Sequence, residues 1–324
     1  MFAIRRIGLI LAHLTGIYPR SERLVEVTRA FDRGRASKAD VKKATETDLS
    51  NLIGIQKTAG LDMIVDGQLD WQDIFRPFSE IFTGIEPGSL TRWFDNNTFY
   101  RKPVVKDKVR LGNRTTIEQY FRSDVLPTKQ KKAILPGPFT LAAVSQNDAY
   151  SNLPDLLDDL AHAIREIVVE LRRLGYDYVQ FSEPSLRGTI SKADLNLAKN
   201  AYDTINGGSA GQKSIIHTYF SDVDKIIVDL LNFNVDCIGL DLYATPIEPV
   251  LQYSFTKELN CGCVDGRNSL IESAQDLGIL INRIRNVLNP KAIYVSPNCD
   301  LEFLPYPVAE KKVKLLTELK RRVA

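Results

Sequence analysis

The chain has 324 residues, of which 44% are hydrophobic and 25% are charged, and its formal net charge is +2. This composition is typical of a globular protein with enough apolar residues for a large core. The near-neutral charge argues against a nucleic-acid binder, because the two basic runs near residues 129–132 and 320–322 are short and far apart. We interpret both runs as solvent-exposed surface.

The first residues imitate a secretion signal but do not complete one. Arg5 and Arg6 precede the apolar run IGLILAHLTG, yet no small-residue cleavage site follows it. No run of about 18 or more apolar residues exists, so the sequence predicts no membrane span. Four cysteines do not make a disulfide framework, and we therefore expect reduced thiols and a cytoplasmic protein.

Short apolar segments alternate with helix-like segments along the chain. The predicted strands are IGLIL, DMIVDG, AILPGPF, DYVQFSEP, SIIHTYF, CIGLDL, LNCGCVDG and AIYVSPNC. Helical periodicity covers residues 22–32, 36–59, 156–174, 192–205, 222–232, 269–287 and 308–322. Eight strands that alternate with helices predict an α/β fold, a single-domain (β/α)8 TIM barrel over residues 1–324. An insertion at about residues 82–132 would separate the second and third strands.

Several predicted strands end on side chains that can bind a metal or move a proton. In a (β/α)8 barrel the catalytic groups lie at the carboxyl ends of the strands, so these side chains should converge. His217, Asp241 and Cys299 could supply the three protein ligands of a catalytic zinc site, which keeps a fourth position open. The alternative is that His217 is a hydrogen-bonded interior residue and Cys299 only packs at its strand end.

Two carboxylates at predicted strand ends are candidates for acid-base catalysis. Glu183 precedes the proline that ends the fourth strand, and a carboxylate fixed there could transfer a proton. Asp265 ends the seventh strand, as a rim acid held by the guanidinium of Arg267 or as a turn acid that starts the next helix. Cys261 and Cys263 share one face of that strand, as packing residues or as a metal-binding pair.

The insertion holds a candidate ligand-binding group. Arg92 stands beside Trp93 and Phe94, so a cation for an anionic group lies next to rings that can stack on a flat ligand. The alternative is a surface arginine that packs on its aromatic neighbour. Arg20, which follows the first strand together with Arg23, is a second candidate for binding an anionic tail.

Segments spread over nearly the whole chain resemble the cobalamin-independent methionine synthase family. They are AGLDMIVDGQLDWQDIF, LTRWFDNNTFY, LPGPFT, VQFSEPSL, HTYF with VDCIGLDL, GCVDGRN, and SPNCDLEFLP. The resemblance implies two tandem barrels, of which only the second holds a catalytic zinc that activates homocysteine as a thiolate. This chain is long enough for one barrel, and RWFDNN, TYF, GLDL and VDGRN resemble the amino-terminal one.

The chain departs from the pattern that the resemblance implies for the catalytic barrel. The cysteine of the His-x-Cys pair is absent, because Tyr219 stands two residues after His217, and Asp241 replaces a glutamate ligand. Gln68 and Ser182 stand where two acidic residues are expected to hold the homocysteine amino group. A substrate ammonium would lose its charge-assisted hydrogen bonds at both positions.

The resemblance leaves three functions open. We favour a non-catalytic subunit, equivalent to the amino-terminal barrel, that binds a folate or serves as a scaffold and works beside a separate zinc-bearing barrel. If it binds a folate, Arg92 and Arg20 are the candidates for contact with the anionic glutamate tail. The second is a self-sufficient thiol methyltransferase with zinc at His217, Asp241 and Cys299 and a folate or corrinoid methyl donor. The third is a metal-free barrel enzyme related to uroporphyrinogen decarboxylase, in which arginines bind a carboxylated substrate.

Overall fold

A parallel sheet forms the centre of the molecule. The structure is a computed structural model that describes residues 10–128, 130–207 and 211–323. The sheet consists of β1 (Ile10–Ala12), β4 (Lys132–Pro136), β6 (Tyr178–Ser182), β7 (Lys213–His217), β8 (Cys237–Asp241), β9 (Glu258–Val264) and β10 (Ile293–Pro297). Its seven strands lie in the order β1, β10, β9, β8, β7, β6, β4, so the first and last strands of the chain are neighbours.

Helices connect most of these strands. They are α1 (Glu22–Asp32), α2 (Lys38–Thr58), α3 (Phe78–Ile81), α4 (Thr115–Tyr120), α5 (Pro138–Val144), α6 (Leu153–Arg173), α7 (Lys192–Asn206), α8 (Ile227–Leu231), α9 (Ile247–Val250), α10 (Ala274–Leu288) and α11 (Tyr306–Val323), with 3-10 turns at Asp224–Ile226 and Leu301–Phe303. Polar side chains cap the long helices, as Ser37 and Asp40 do at the start of α2. Over the described residues, no helix is long and apolar enough to cross a bilayer.

The segment DMIVDG, predicted as the second strand, contributes one bridge and no strand. Ile64 bridges to Lys131. The next residue, Val65, bonds to the side chain of Gln56 in α2, which accepts from the Val65 amide at 3.0 Å and donates to its carbonyl at 2.8 Å. This side chain takes the hydrogen bonds that a neighbouring strand would have made. The described sheet therefore has seven strands where eight were predicted, and a closed (β/α)8 barrel stays a prediction.

An antiparallel hairpin fills much of the predicted insertion at residues 82–132. Its strands are β2 (Phe82–Arg92) and β3 (Phe99–Leu111), and β3 also pairs with the short β5 (Gln146–Asn147). The turn at residues 93–98 is the hairpin tip. Trp93 in this tip packs edge-on against Phe75 and Tyr100, at centroid distances of 5.4 Å, so aromatic contacts fix the tip to the body of the protein.

The first basic run is not solvent-exposed, contrary to the sequence interpretation. Lys131 and Lys132 are only 9% and 1% exposed, because Lys132 opens β4 within the sheet; Lys129 lies outside the described residues. The second run agrees with the interpretation. Lys320 pairs with Asp62 at 2.6 Å, and the remaining residues of the run are exposed on α11.

Candidate functional site

Five polar side chains, each at most 1% exposed, form a buried polar cluster. They are His13, Lys132, Gln180, His217 and Asn260. The Lys132 Nζ lies 2.7 Å from His13 Nδ1, 2.6 Å from the Leu14 carbonyl oxygen and 2.6 Å from Gln180 Oε1. These neighbours can accept all three N–H bonds of an ammonium. Burial nevertheless lowers the pKa of Lys132 well below its usual value, because no anionic group offsets the loss of water.

Both ring nitrogens of His217 are already bonded to protein. Nε2 lies 2.8 Å from the Asn298 carbonyl oxygen, which can only accept, so Nε2 carries the proton. Nδ1 therefore accepts from the Asn260 amide nitrogen at 3.2 Å. Burial lowers the pKa of His217 to about 3. The structure thus agrees with the interpretation of His217 as a hydrogen-bonded interior residue.

Asp241 and Cys299, the other predicted zinc ligands, are also engaged. Asp241 accepts from the amides of Tyr243 and Ala244 at 2.9 and 3.1 Å and from Asn298 Nδ2 at 3.0 Å through one oxygen. Its other oxygen accepts from the Phe220 amide at 3.1 Å. Cys299 is a buried free thiol whose pKa is raised above the usual range, first by burial. The carboxylate of Asp241 therefore organises the loops that follow β7 and β8.

Gln68 and Ser182 lie at the same edge of the sheet. Gln68 has a left-handed backbone, with φ +53, and its Nε2 donates to the Ile134 carbonyl at 3.4 Å. Its Oε1 is buried and has no hydrogen-bond partner among the described residues. Ser182 accepts from Gln180 Nε2 at 3.4 Å. Gln68 therefore keeps one free acceptor at the position for which the sequence suggested an ammonium-binding role.

Glu183 holds two helices together. Its carboxylate accepts from the amides of Phe139 and Thr140 at 3.1 and 2.8 Å, from the Thr140 hydroxyl at 2.6 Å and from the Tyr202 hydroxyl at 3.0 Å. Gly137 is needed beside it, because a Cβ at that position would overlap the carboxylate. Burial raises the pKa of Glu183 to about 7. These contacts favour a structural role over the predicted acid-base role.

Asp265 follows β9 as a turn acid. One of its oxygens accepts from the backbone amide of Arg267 at 2.9 Å, and its own amide donates to Glu272 at 2.6 Å. The Arg267 guanidinium lies 5.1 Å from the ring of Phe220 instead. Of the two readings that the sequence left open, the turn acid is the one that these contacts favour.

An aromatic cluster, consisting of Phe94, Phe220 and Phe303, joins the hairpin tip to the carboxyl edge of the sheet. The rings of Phe94 and Phe220 are 5.7 Å apart, and those of Phe220 and Phe303 are 6.0 Å apart. Arg187 stacks on Phe94 at 5.6 Å, as Arg267 does on Phe220. Two exposed cations thus flank a set of partly buried rings.

The backbone at this cluster is strained. Phe94 and Phe220 have φ values of +46 and +67, which bulky side chains rarely adopt. Such strain persists only where the surroundings impose it, and it concentrates at functional sites. The two strained residues contact each other directly, which marks the aromatic cluster as a candidate functional feature.

The two predicted ligand-binding arginines, Arg92 and Arg20, have different surroundings. Arg92 is exposed, and its Nε donates to the Asn96 carbonyl at 2.9 Å across the hairpin tip. Arg20 is partly buried and lines a cavity beside the tip. The arginines that stack on the aromatic cluster are Arg187 and Arg267, which the sequence reasoning did not select as ligand-binding residues.

Comparison with known proteins identifies the relatives of this chain. The family model of the N-terminal domain of cobalamin-independent synthase matches residues 82–289, more than half of the chain. The chain belongs to the cobalamin-independent methionine synthase family. A methionine synthase from Saccharolobus solfataricus is 28% identical over 97% of this chain and 94% of its own length. One from Sulfolobus acidocaldarius is 26% identical over 95% of this chain and 90% of its own length.

Solved structures of the methionine synthase family share this fold. The chain is similar to a B12-independent methionine synthase from Shewanella sp. W3-18-1, solved with selenomethionine, with a TM-score of 0.81, 19% identity and 97% coverage of both chains. A second neighbour, the putative vitamin-B12 independent methionine synthase of Listeria monocytogenes, has a TM-score of 0.75, 16% identity and 98% coverage of both chains.

The zinc implied by the methionine synthase family does not fit the side chains as they stand. A zinc ligand needs a free lone pair, yet Nε2 of His217 carries a proton toward the Asn298 carbonyl and Nδ1 already accepts from Asn260. Among the residues that the structure describes, no group of three or more His, Cys, Asp or Glu side chains could hold a metal ion. Zinc binding at His217, Asp241 and Cys299 would require at least His217 to give up a present hydrogen bond.

Sequence reasoning missed several residues of this family member's site. His13 and Asn260 bond to Lys132 and His217, respectively, and neither was selected as a site residue, although Asn260 lies in the segment LNCGCVDG. Phe220 ends the HTYF segment and was therefore in view, but its contact with Phe94 was not. Lys132 did carry a signal, because a lysine directly before the apolar run AILP is more consistent with a strand than with an exposed loop.

Proposed function

We propose that this chain is the amino-terminal-barrel-like subunit of a cobalamin-independent methionine synthase. In this proposal a separately encoded zinc-bearing barrel activates homocysteine and receives the methyl group. The observation that carries the proposal is the hydrogen bonding of His217, whose two ring nitrogens bind Asn298 and Asn260 and leave no lone pair for zinc. The match to an N-terminal domain model supports the same assignment.

The aromatic cluster is the part of the chain that suits a methyl donor. A methylated folate combines a flat ring system with an anionic glutamate tail. Phe94, Phe220 and Phe303 offer apolar ring surface, and Arg187 and Arg267 offer two cations for the tail. A corrinoid donor would reach the same edge of the sheet but would gain less from two separated cations.

The self-sufficient zinc methyltransferase is the alternative. Two relatives of nearly the same length as this chain are named methionine synthase, which favours activity in a single barrel. The alternative requires His217 to release one of its present partners, and a buried hydrogen-bonded group resists such release. The decarboxylase-type alternative requires several arginines around one cavity, and among the described cavities near the end of β1 one is lined by Arg20 and Arg23 and the other by Arg20.

Reconstitution tests the proposed function. The chain should be combined with a one-barrel zinc homologue from the same source, and methyl transfer from methylated folate to homocysteine measured. We expect the kcat/KM of the zinc homologue to be higher with this chain than without it by about tenfold or more, equal to about 1.4 kcal/mol. The chain alone should remain inactive and free of stoichiometric zinc. Activity of the chain alone with one bound zinc, lost in Cys299→Ala, would overturn the proposal.

Arginine variants examine the donor site within this assay. Arg187→Gln and Arg267→Gln each remove a cation from the aromatic cluster and should raise the KM for folate by about tenfold. Arg92→Gln is the matched control, because Arg92 bonds only within the hairpin tip. If Arg92→Gln raises the KM for folate more than the other two variants do, the result would instead support Arg92 as the residue that binds the folate tail, as the sequence suggested.

A further inference from the structure

The polar side chains at the carboxyl edge of the sheet are closed off from solvent. Ser182 is 2% exposed, Cys299 is 1% exposed, and His217 and Asp241 are 0% exposed. Ligands of parallel α/β folds bind at the carboxyl ends of the strands, so a ligand of this protein would have to reach this edge. Part of the structure must therefore move before a ligand can contact these residues.

A series of aromatic rings runs from the hairpin tip to His217. The ring centroid of Phe94 in the tip lies 5.7 Å from that of Phe220, which lies 4.5 Å from that of Tyr219. The ring of Tyr219 stacks on His217 at 5.6 Å. Phe94 and Phe220 are partly buried, whereas Tyr219 and His217 are buried. The contact between Phe94 and Phe220 is thus the outer end of a series that leads into the buried polar cluster.

The outer contact of this series is held in a strained form. Both of its residues have a left-handed backbone, with φ +46 at Phe94 and φ +67 at Phe220. Asp241 helps to hold Phe220 there, because its Oδ2 accepts from the Phe220 amide at 3.1 Å. A change of either residue to an ordinary backbone conformation would relieve strain and redirect the ring. The strain opposes the aromatic contact with a free energy of similar size, so the contact is poised to open.

Phe94 can move without unpacking the rest of the hairpin. Trp93, at the base of the tip, is 5% exposed and packs against two buried rings, which fixes the base. Phe94 follows directly and reaches outward to the ring of Phe220 and the guanidinium of Arg187. These two partners lie in the loops after β7 and β6, so Phe94 bridges the carboxyl ends of two neighbouring strands.

We propose that the hairpin tip is a lid over the carboxyl edge of the sheet and that the contact between Phe94 and Phe220 is its latch. The structure shows the closed state. When the latch opens, Phe94 leaves Phe220, and a path forms past Tyr219 toward His217. The inference goes beyond the proposed function and does not rest on it, because the lid would control the entry of any ligand at this edge.

Two buried cysteines distinguish a movement of the lid from unfolding. Cys299 and Cys237 are free thiols that are 1% and 0% exposed. Cys299 follows β10 at the carboxyl edge and lies near Tyr219, since burial, Asp300 and Cys299 together raise the pKa of Tyr219. Cys237 is the first residue of β8 and lies at the opposite end of the sheet. Opening of the lid should expose Cys299 alone, whereas unfolding exposes both thiols.

Thiol labelling of the full chain tests the inference. The native protein is treated with N-ethylmaleimide, and the labelling rate of each cysteine is measured by peptide mass spectrometry. Phe94→Ser and Phe220→Ser should each raise the rate at Cys299 by about tenfold or more and leave the rate at Cys237 unchanged. Phe99→Ser is the matched control, because Phe99 lies on the same hairpin, is 54% exposed and is outside the aromatic cluster. It should label as the wild type does.

Three results would contradict the lid. They are an unchanged rate at Cys299 in both latch variants, an equal rise at Cys299 and Cys237 in both, and a rise at Cys299 as large in Phe99→Ser as in the latch variants. Because the two latch variants break the contact from opposite sides, misfolding of one leaves the other informative. The measurement uses this chain without ligand or partner, so failure of the reconstitution assay has no effect on it.

Discussion

The side chains of Lys132 and His13 lie 2.7 Å apart in a buried polar cluster that contains no carboxylate. The cation of Lys132 therefore depends on neutral acceptors, namely an imidazole nitrogen, the Leu14 carbonyl and the Gln180 amide oxygen. Neutral acceptors compensate only part of the free energy that an ammonium loses when it leaves water. The free energy of unfolding should depend on pH for this reason.

Lys132→Met should remove a rise in stability that the wild type shows as the pH increases toward the pKa of an unfolded lysine. Burial lowers the pKa of Lys132 in the folded state, whereas an unfolded lysine titrates near about 10.4, so the unfolded state binds more protons between these values. Stability then rises with pH, by about 1.4 kcal/mol per pH unit where the folded lysine is neutral. Urea unfolding at several pH values measures this slope. Parallel curves for the wild type and the variant would contradict the prediction.

His217→Gln should make the protein less sensitive to acid. The pKa of His217 is lowered to about 3 in the folded state, while an unfolded histidine titrates near about 6.5, so stability is lost as the pH falls through this window. The loss from this one residue is about 2 kcal/mol at pH 5. Urea unfolding at pH 7 and pH 5 gives the difference. The exposed His162→Gln is the control and should lose as much stability as the wild type.

Glu183→Ala should destabilise the protein and leave the chemistry of any reconstituted enzyme unchanged. The substitution leaves the amide and hydroxyl donors of Thr140 and the hydroxyl of Tyr202 without an acceptor. This should lower the free energy of unfolding by about 3 kcal/mol or more. Tyr202→Phe removes a single donor and should cost about 1 kcal/mol. Thermal unfolding measures both changes. A variant of normal stability that loses activity would instead support the acid-base role of Glu183.

The sequence predicted elements well where local signals decide them. The bounds of α1 were predicted at Glu22 and Asp32 from helical periodicity, and in the structure the Ser21 side chain caps the same start. It predicted the second strand less well, since Val65 takes its hydrogen bonds from a glutamine in α2. Such a choice depends on two segments that meet only after folding.

The prediction of the candidate site shows the same contrast between local signals and contacts that form only after folding. The polar residues at strand ends were found from the pattern of β-strands, and they do lie at one edge of the sheet. Their hydrogen-bond partners were not found, because these come from distant parts of the chain. Asn260 reaches His217 from β9, and Asn298 reaches it from the residues after β10. The sequence does not show whether the ring nitrogens of a histidine are free or hydrogen-bonded. Only the three-dimensional structure therefore distinguishes the metal-binding interpretation from the structural one.

The pairing of β1 with β10 constrains the order in which the chain can fold during synthesis. Thr15 donates to the carbonyls of Pro297 and Cys299, across separations of 282 and 284 residues. β1 leaves the ribosome early, and most of the remaining polypeptide must be synthesised before the edge of β1 that pairs with β10 can do so. Until then an unpaired strand edge stays available to other nascent chains. This one long-range pairing raises the contact order of the fold, which slows its completion.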